Sequence, residues 1–341
     1  MSLAALTARL FDNRNAIVAL STARDALSHC GARGISATSA WYDAWIDAFG
    51  KTVSPCVIAV TDETGALRGV PPLAALSRQL GGLRVRVLEM GGESVVCGDP
   101  LGLVAAATDD QVWAVALPLL QTLGRDADVI HLRSLTATTA PGGALGSLTP
   151  SKWHAVPTTG AVAPRISLDE LERLHQNLWT SRNVTGAFSD PLFGAFVRRF
   201  ARSAHARGWL RLHQLVIDGE TVAALLAYHW EGVGSYYTSG WNPACAKWHV
   251  GEVLLAHVIR TAADEGLASF DCGRGADAYK SRFATEPVPL LAAMWSTSSR
   301  GHVAVGANRL ALRATREWNR GRTRVSRLLA TRRRPTGVSF E

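Results

Sequence analysis

The chain has 341 residues, long for one compact domain and ample for two, each able to bury its own core. Hydrophobic residues make up 47% and charged residues 19%, which excludes a disordered chain. The net charge of +8 is local: Arg309 to Arg334 carries ten arginines against the single acid Glu317, so the body is near neutral and not a general nucleic-acid coat.

No apolar run approaches the ~20 residues that cross a bilayer, and Arg9, Asp12 and Arg14 interrupt the N-terminal stretch where a signal peptide would need an apolar segment. A cytoplasmic protein, with membrane-surface contact open to its tail, is the expectation. The five cysteines (Cys30, Cys56, Cys97, Cys245, Cys272) are scattered and lack a C-x-x-C pair, so neither a disulfide framework nor a metal site is expected.

In chain order, Ser39 is placed to cap a short helix carrying Trp41, Tyr42, Trp45, Ile46 and Phe49. Strands follow at Cys56–Val60 and Arg68–Leu76 around an Asp62–Gly65 turn, with Pro71-Pro72 marking an edge or a break. Another strand, Leu83–Met90, lies between glycine pairs; then come a helix from Asp109 to Leu123 and a strand from Asp128 to Leu132. Thr136 to Ser151 is Gly/Thr/Pro-rich and reads as a surface loop.

The second half opens near Pro164, with helices expected at Leu168–Ser181 and Pro191–Arg207. Strand Trp209–Ile217 turns at Asp218-Gly219 into Thr221–Trp230, a strong hairpin signal. Strand Gly234–Ser239 leads through Trp241-Asn242-Pro243 to a helix from Val250 to Glu265, ended by Gly266. Strands Ala268–Cys272 and Leu290–Ser296 and an arginine-rich helix complete the chain. The halves echo one another in order of elements, which suggests a duplicated α/β unit. The first crossing helix opens on Asp109-Asp110, which repels phosphate; the second opens near Lys247 and Gly251. A phosphate-bearing ligand therefore belongs to the second half.

The chemistry concentrates between Trp241 and Phe283. The start of helix Val250–Glu265 offers unpaired amides and a positive dipole end. Gly251 serves either close approach of a ligand or tight helix–strand packing. Asp271-Cys272-Gly273-Arg274-Gly275 and Tyr279-Lys280-Ser281-Arg282 supply permissive glycines and positive charge, and with the helix start they form a two-sided cradle. Trp241 and Trp248 flank it, as pocket walls or as loop anchors. Neither a P-loop nor a G-x-G-x-x-G fingerprint occurs.

These pieces carry a resemblance. Tyr236-Tyr237, Trp241-Asn242-Pro243, Val250 to Leu254, Phe270-Asp271 and Gly275 to Lys280 resemble the GNAT acyltransferases of the CelD/BcsL-like group of cellulose biosynthesis, relatives of the FemAB aminoacyltransferases. Trp41 to Gly50, Gly69 to Leu73 and Gly98-Asp99-Pro100-Leu101 match the family's first-half pieces. At the helix start His249-Val250-Gly251 stands where the family has an S-P-G-type segment, without its proline, and the pyrophosphate loop is a degenerate Lys247–Gly251.

The resemblance implies an α/β fold of two tandem GNAT-like domains, each a mixed, mostly antiparallel sheet flanked by helices. Residues 1–160 would form a degenerate structural or acceptor-binding domain, 161–300 the donor-binding and catalytic domain, and 301–341 an arginine-rich helix and tail. The implied reaction moves an acyl group from acyl-CoA to an amine, or a hydroxyl, of a small molecule, glycan or peptide, with no metal. Ser239, Gly240, Lys247, Trp248, Val250, Gly251, Glu252, Arg274 and Lys280 would hold the donor. Acyl transfer needs an amine deprotonated and a developing oxyanion met by a donor. A main-chain N–H near Tyr237 to Ser239 is the oxyanion donor implied; Asp271 or His249 is the base, Asp271 having the alternative role of holding its turn; Tyr236, Tyr237 or Tyr279 would protonate the leaving thiolate. Two rivals remain: a FemAB-like transferase using aminoacyl-tRNA, and a non-catalytic binding module of a polysaccharide or lipid assembly. The tail places Leu310, Ala314, Trp318, Val325 and Leu329 along one helical side; Arg309–Arg334 can contact tRNA or an anionic membrane, or pack on the body.

Overall fold

A computed structural model describes residues 6–28, 34–92, 96, 104–105, 109–135, 149–155, 168–275 and 277–332 of the chain. Strand β1 (Thr7–Phe11) and helices α1 (Arg14–Ala19) and α2 (Ser21–Ser28) precede the first expected element, α3 (Ser39–Phe49). Its cap is Thr38, one residue ahead of the expectation, with Oγ1 accepting from the Trp41 amide at 3.3 Å. Ser39 is drawn into the first turn because its amide and hydroxyl both donate to the Asp25 carboxylate, at 2.8 and 2.7 Å.

Strands β2 (Ser54–Thr61), β3 (Leu67–Val70), β4 (Pro72–Leu80) and β5 (Leu83–Met90) follow, and Pro71 separates β3 from β4 as a strand break should. After β6 (Val104–Ala105), helix α4 (Asp109–Gly124) crosses to β7 (Val129–Leu135), which runs parallel to β5. The expected loop Thr136–Ser151 needs correction at its end. Thr149–Ala155 is strand β8, hydrogen-bonded on both sides; residues 136–148 lie outside the described part.

The second half follows its sequence closely. Helices α5 (Leu168–Ser181) and α6 (Pro191–Ala206) precede β9 (Leu210–Ile217), β10 (Glu220–Trp230) and β11 (Val233–Trp241). Both connections in this meander are two-residue turns with positive φ throughout, Asp218-Gly219 and Glu231-Gly232, which suit the twist of paired strands. Helix α7 (Val250–Asp264) closes in a Schellman motif: the Leu267 amide bonds the Ala262 carbonyl and the Gly266 amide that of Ala263. It delivers the chain to β12 (Ser269–Arg274), parallel to β11. Strand β13 (Glu286–Ser296) and helix α8 (Ser299–Arg332) follow.

Two mixed sheets result, parallel only at β5–β7 and β11–β12 among the described strands, and flanked by helices. The first runs β6-β3-β2-β4-β5-β7-β13, with β1 on β2; the second runs β13-β8-β12-β11-β10-β9. Strand β13 joins them, pairing β8 through Glu286–Leu290 and β7 through Leu291–Ser296. One apolar core spans both halves: Trp41 of α3 meets Phe196 and Phe200 of α6 edge-on at 4.9 and 4.8 Å, and Tyr237 of β11 at 5.5 Å. Each such pair adds about 1 kcal/mol to the burial itself. A smaller core lies between α7 and the other face of β10–β12.

Candidate active site

Strands β11 and β12 pair over only three residues, ending at Ser235↔Asp271, and then part. Where they part, β11 carries a bulge: Leu226 faces Thr238 and Ala227 faces Tyr236, so Tyr237 is the extra residue. A bulge shifts the register beyond it, and Tyr236 and Tyr237, consecutive in the strand, point to opposite faces. Tyr236 packs on the α7 core, Tyr237 on the α3/α6 core.

A cavity opens on each face of the gap. The larger, about 290 Å³, is walled by Leu178 and Trp179 of α5 and Arg182 just beyond it, Tyr236, Ser239 and Trp241 of β11, His249 to Glu252 at the start of α7, and Asp277 and Tyr279 beyond β12. Trp179 is fixed by donating Nε1–H to His175 Nε2 at 2.9 Å, and the Arg182 guanidinium lies 5.6 and 5.7 Å from the ring centroids of Trp179 and Trp241. The smaller, about 140 Å³, lies between Ile35, Ser36 and Trp41 of the first half and Tyr228, Ser235 to Tyr237, Cys272 to Arg274 and Lys280 of the second. Tyr236 lines both.

The α7 N-terminus is held open by an unusual cap. His249 sits in the left-handed region (φ 50°, ψ 37°), its carbonyl accepts from the Glu252 and Val253 amides, and its side chain caps nothing. The Val250 and Gly251 amides have no protein acceptor among the described residues. Glu252 turns to the Arg282 guanidinium and stands 3.4 Å from His249 Nδ1. Gly251 is explained by packing: a Cβ there would come within 2.9 Å of the Trp241 ring.

On the wall at the gap, the Tyr236 hydroxyl lies 2.8 Å from Ser239 Oγ and also hydrogen-bonds Tyr279. Burial raises the pKa of both phenols, so they stay neutral and act as hydrogen-bond donors. Tyr237 is instead tied across the halves, its hydroxyl donating to the Val96 carbonyl at 3.0 Å.

The structure thus gathers Ser239, His249, Val250, Gly251, Glu252 and Tyr279 at one cavity, and Tyr237, Arg274 and Lys280 at the other. Four expected residues line neither. Gly240 is covered by the α5 backbone, since a Cβ there would fall 2.1 Å from the His175 nitrogen. Lys247 is exposed with Nζ over the Trp248 ring at 4.6 Å, and Trp248 is itself 51% exposed. Asp271 is 1% exposed, and its Oδ1 accepts from the Gly273 amide at 2.8 Å, the turn-holding role. Trp179, Arg182, Trp41, Tyr228 and Asp277 were not expected at the site. The Trp179/Arg182 spacing on one helix end was the only local signal for any of them.

No group of three or more His, Cys, Asp or Glu side chains among the described residues is placed to hold a metal. Burial pushes the Cys56 and Cys272 thiols up to about 12, so they are inert at neutral pH. Helix α8 begins on the first sheet, with Ala304 and Val305 buried against Val85, Val87 and Val129, while Leu310 and Leu312 are exposed. Of the stretch Arg309–Arg334, residues 333–334 and the side chains beyond Thr315 lie outside the described part. No described helix is long and apolar enough to cross a membrane.

A family model described as an acetyltransferase (GNAT) domain matches residues 157–281. The crystal structure of FemX superposes with a TM-score of 0.55 at 9% identity, covering 83% of this chain and 96% of FemX. A tandem GNAT protein from the clavulanic acid biosynthesis pathway gives 0.48 at 12% identity, over 86% of this chain and 99% of its own. Saccharomyces cerevisiae N-myristoyltransferase with bound myristoyl-CoA gives 0.47 at 8% identity, over 85% of this chain and 82% of its own. No curated protein matches the chain in sequence. At these identities the likeness to FemX speaks of the fold; together with the matched domain, it means that the chain has the fold of the GNAT acyltransferase superfamily.

Proposed function

We propose that the protein is an N-acyltransferase of the CelD/BcsL-like kind, moving an acyl group from acyl-CoA to an amine. The observation that carries this reading is the parting of β11 and β12 after Ser235↔Asp271, with a cavity at each mouth and Tyr236 shared between them. A donor entering on one face and an acceptor on the other would meet at the bulge of Tyr237.

The larger cavity suits part of such a donor. Its Leu178, Trp179, Leu225, Trp241 and Leu255 walls match an apolar arm, and 290 Å³ admits that arm and not a whole nucleotide. The Val250 and Gly251 amides and Arg182 would hold the anionic part, and Glu252 is kept from opposing it by Arg282. The thioester supplies an activated carbonyl. The amine nitrogen bonds to that carbon as the C–S bond breaks; the amine loses a proton and the departing sulfur needs one. Tyr236 and Tyr279, neutral and hydrogen-bonded to each other, would bond the sulfur as it acquires charge. No buried carboxylate among the described residues lines either cavity, so in this reading the amine is taken up as its free base. Residues 161–300 carry the donor site in this reading, and residues 1–160 close the acceptor side.

Thermal denaturation with acetyl-CoA tests it. A ligand at 100 times its Kd stabilises by about 2.7 kcal/mol, a shift of a few degrees. Thiol release in the presence of an amine panel then reports transfer. The second donor, aminoacyl-tRNA, draws on the FemX-like fold and the charge of Arg309–Arg334. Absence of a shift with any CoA ester, alongside salt-sensitive tRNA binding, would transfer the proposal to that donor.

A further inference from the structure

The smaller cavity has the chemistry of an anion pocket. Trp41 and Tyr228 both line it and are 1% and 0% exposed, yet Trp41 Nε1 and the Tyr228 hydroxyl have no hydrogen-bond partner among the described residues. Two buried, unmet donors among its lining residues carry a desolvation cost that a matching acceptor would remove. The other polar walls agree in sign. Arg274 and Lys280 line the cavity, and no acidic side chain among the described residues does. Lys280 is 3% exposed; its Nζ donates to the Arg274 carbonyl and stands 3.4 Å from Asp277, whose carboxylate belongs to the other cavity. Its wall thus offers donors and positive charge, and Cys272, with its thiol protonated, adds no negative charge.

We infer that this cavity binds the carboxylate of a small substrate fragment on the far side of the gap from the acyl donor. At about 140 Å³ it approaches the ~150 Å³ cavity that takes benzene, so the fragment has about six non-hydrogen atoms. β-Alanine has that size and carries an amine at its other end. The identification of the fragment as part of a reacting substrate rests on the acyl-transfer reading; the carboxylate preference itself does not. The carboxylate can belong to the acceptor or to the acyl group, and the two sources are separable.

Calorimetric titration of the full-length protein compares β-alanine with propylamine, and succinyl-CoA with acetyl-CoA. A preference of about tenfold or more within the first pair assigns the carboxylate to the acceptor, and within the second to the acyl group; a hydrogen bond to a charged group has that worth. No preference in either pair overturns the inference, whatever the transfer assay gives. Carboxylate preference without any transfer would leave the pocket standing and remove the transferase reading. Tyr228→Phe supplies a readout a structural tyrosine would not. Its melting temperature is expected to hold or rise, because an unmet hydroxyl is removed, while the carboxylate preference falls about tenfold. A lowered melting temperature with the preference intact would count against the pocket.

Discussion

Trp179 donates its indole N–H to His175 Nε2 across one helical turn, and this bond sets the orientation of a wall of the larger cavity. Nε2 accepts, so the proton rests on Nδ1, which faces Gln176 Oε1 at 3.2 Å. Burial lowers the pKa of His175 and keeps the ring in that neutral form. His175→Leu removes the acceptor and leaves the Trp179 N–H unmet in a part-buried place. A loss of about 1–3 kcal/mol in the urea unfolding free energy is expected, together with weaker binding of acetyl-CoA. Unchanged values for both would separate this bond from the cavity.

A second histidine predicts the acid behaviour of the fold. His213 of β9 is 5% exposed, neither ring nitrogen has a partner among the described residues, and His257 of α7 lies 5.6 Å away ring to ring. Around it stand His229, bonded through Nδ1 to Glu265 at 2.9 Å, and Arg211, which bonds the same carboxylate. Burial first, then the charge of His257 and His229, brings the His213 pKa down to about 4. The unfolded chain takes up the proton near 6.5, the folded protein only near 4, so stability falls as pH drops through that interval and is level outside it. The cost is about 3 kcal/mol for this group. His213→Leu is expected to raise stability at pH 5 and to flatten the pH dependence by up to one proton. A variant as acid-sensitive as the parent would refute it.

The local parts of this architecture were legible in the chain, and the assembled parts were not. Asp218-Gly219 forms its turn because two consecutive residues there tolerate positive φ, which is a property of the pair itself. Helix α5 reads directly from its apolar spacing. Strand β8, by contrast, is Thr-Pro-Ser-Lys-Trp-His-Ala, with no alternation to betray it; it is a strand because β12 and β13 present edges on both its sides. The helix-start half of the site was visible from Val250-Gly251. The walls supplied by Trp41, Tyr228 and Trp179 were not, because only the long-range packing of α3, β10 and α5 brings them to the gap.

Two glycines expected to serve the donor are expected to behave differently. A Cβ at Gly240 meets only backbone, 2.1 Å from the His175 nitrogen and 2.5 Å from the Leu174 carbonyl carbon, so α5 would have to move. Gly240→Ala should cost about 3 kcal/mol or more, seen as a large fall in melting temperature. At Gly251 the neighbour is the Trp241 side chain at 2.9 Å, and alanine improves helix propensity by up to ~1 kcal/mol. Gly251→Ala should therefore fold with near-parental stability while the displaced Trp241 narrows the cavity. The thermal shift with acetyl-CoA would shrink. Equal damage from the two substitutions would mean that α5 is not locked on Gly240 as the structure has it.

Asp271 and Tyr279 separate turn-holding from proton transfer. Asp271 bonds the Gly273 amide at φ +72°, and lines neither cavity. Asparagine retains an oxygen for that bond, so Asp271→Asn should keep transfer within about threefold, whereas a group that removes the amine proton is worth ~10²–10⁴ in rate. Asp271→Ala loses the bond and should destabilise by about 1–3 kcal/mol. Tyr279→Phe removes one hydroxyl from the Tyr236–Ser239–Tyr279 set without opening space. Its kcat should fall at least about tenfold with little change in KM, because the hydroxyl acts only as sulfur acquires charge. Thiol release under saturating acetyl-CoA measures both variants. A dead Asp271→Asn beside an active Tyr279→Phe would move the proton chemistry from the phenols to the carboxylate.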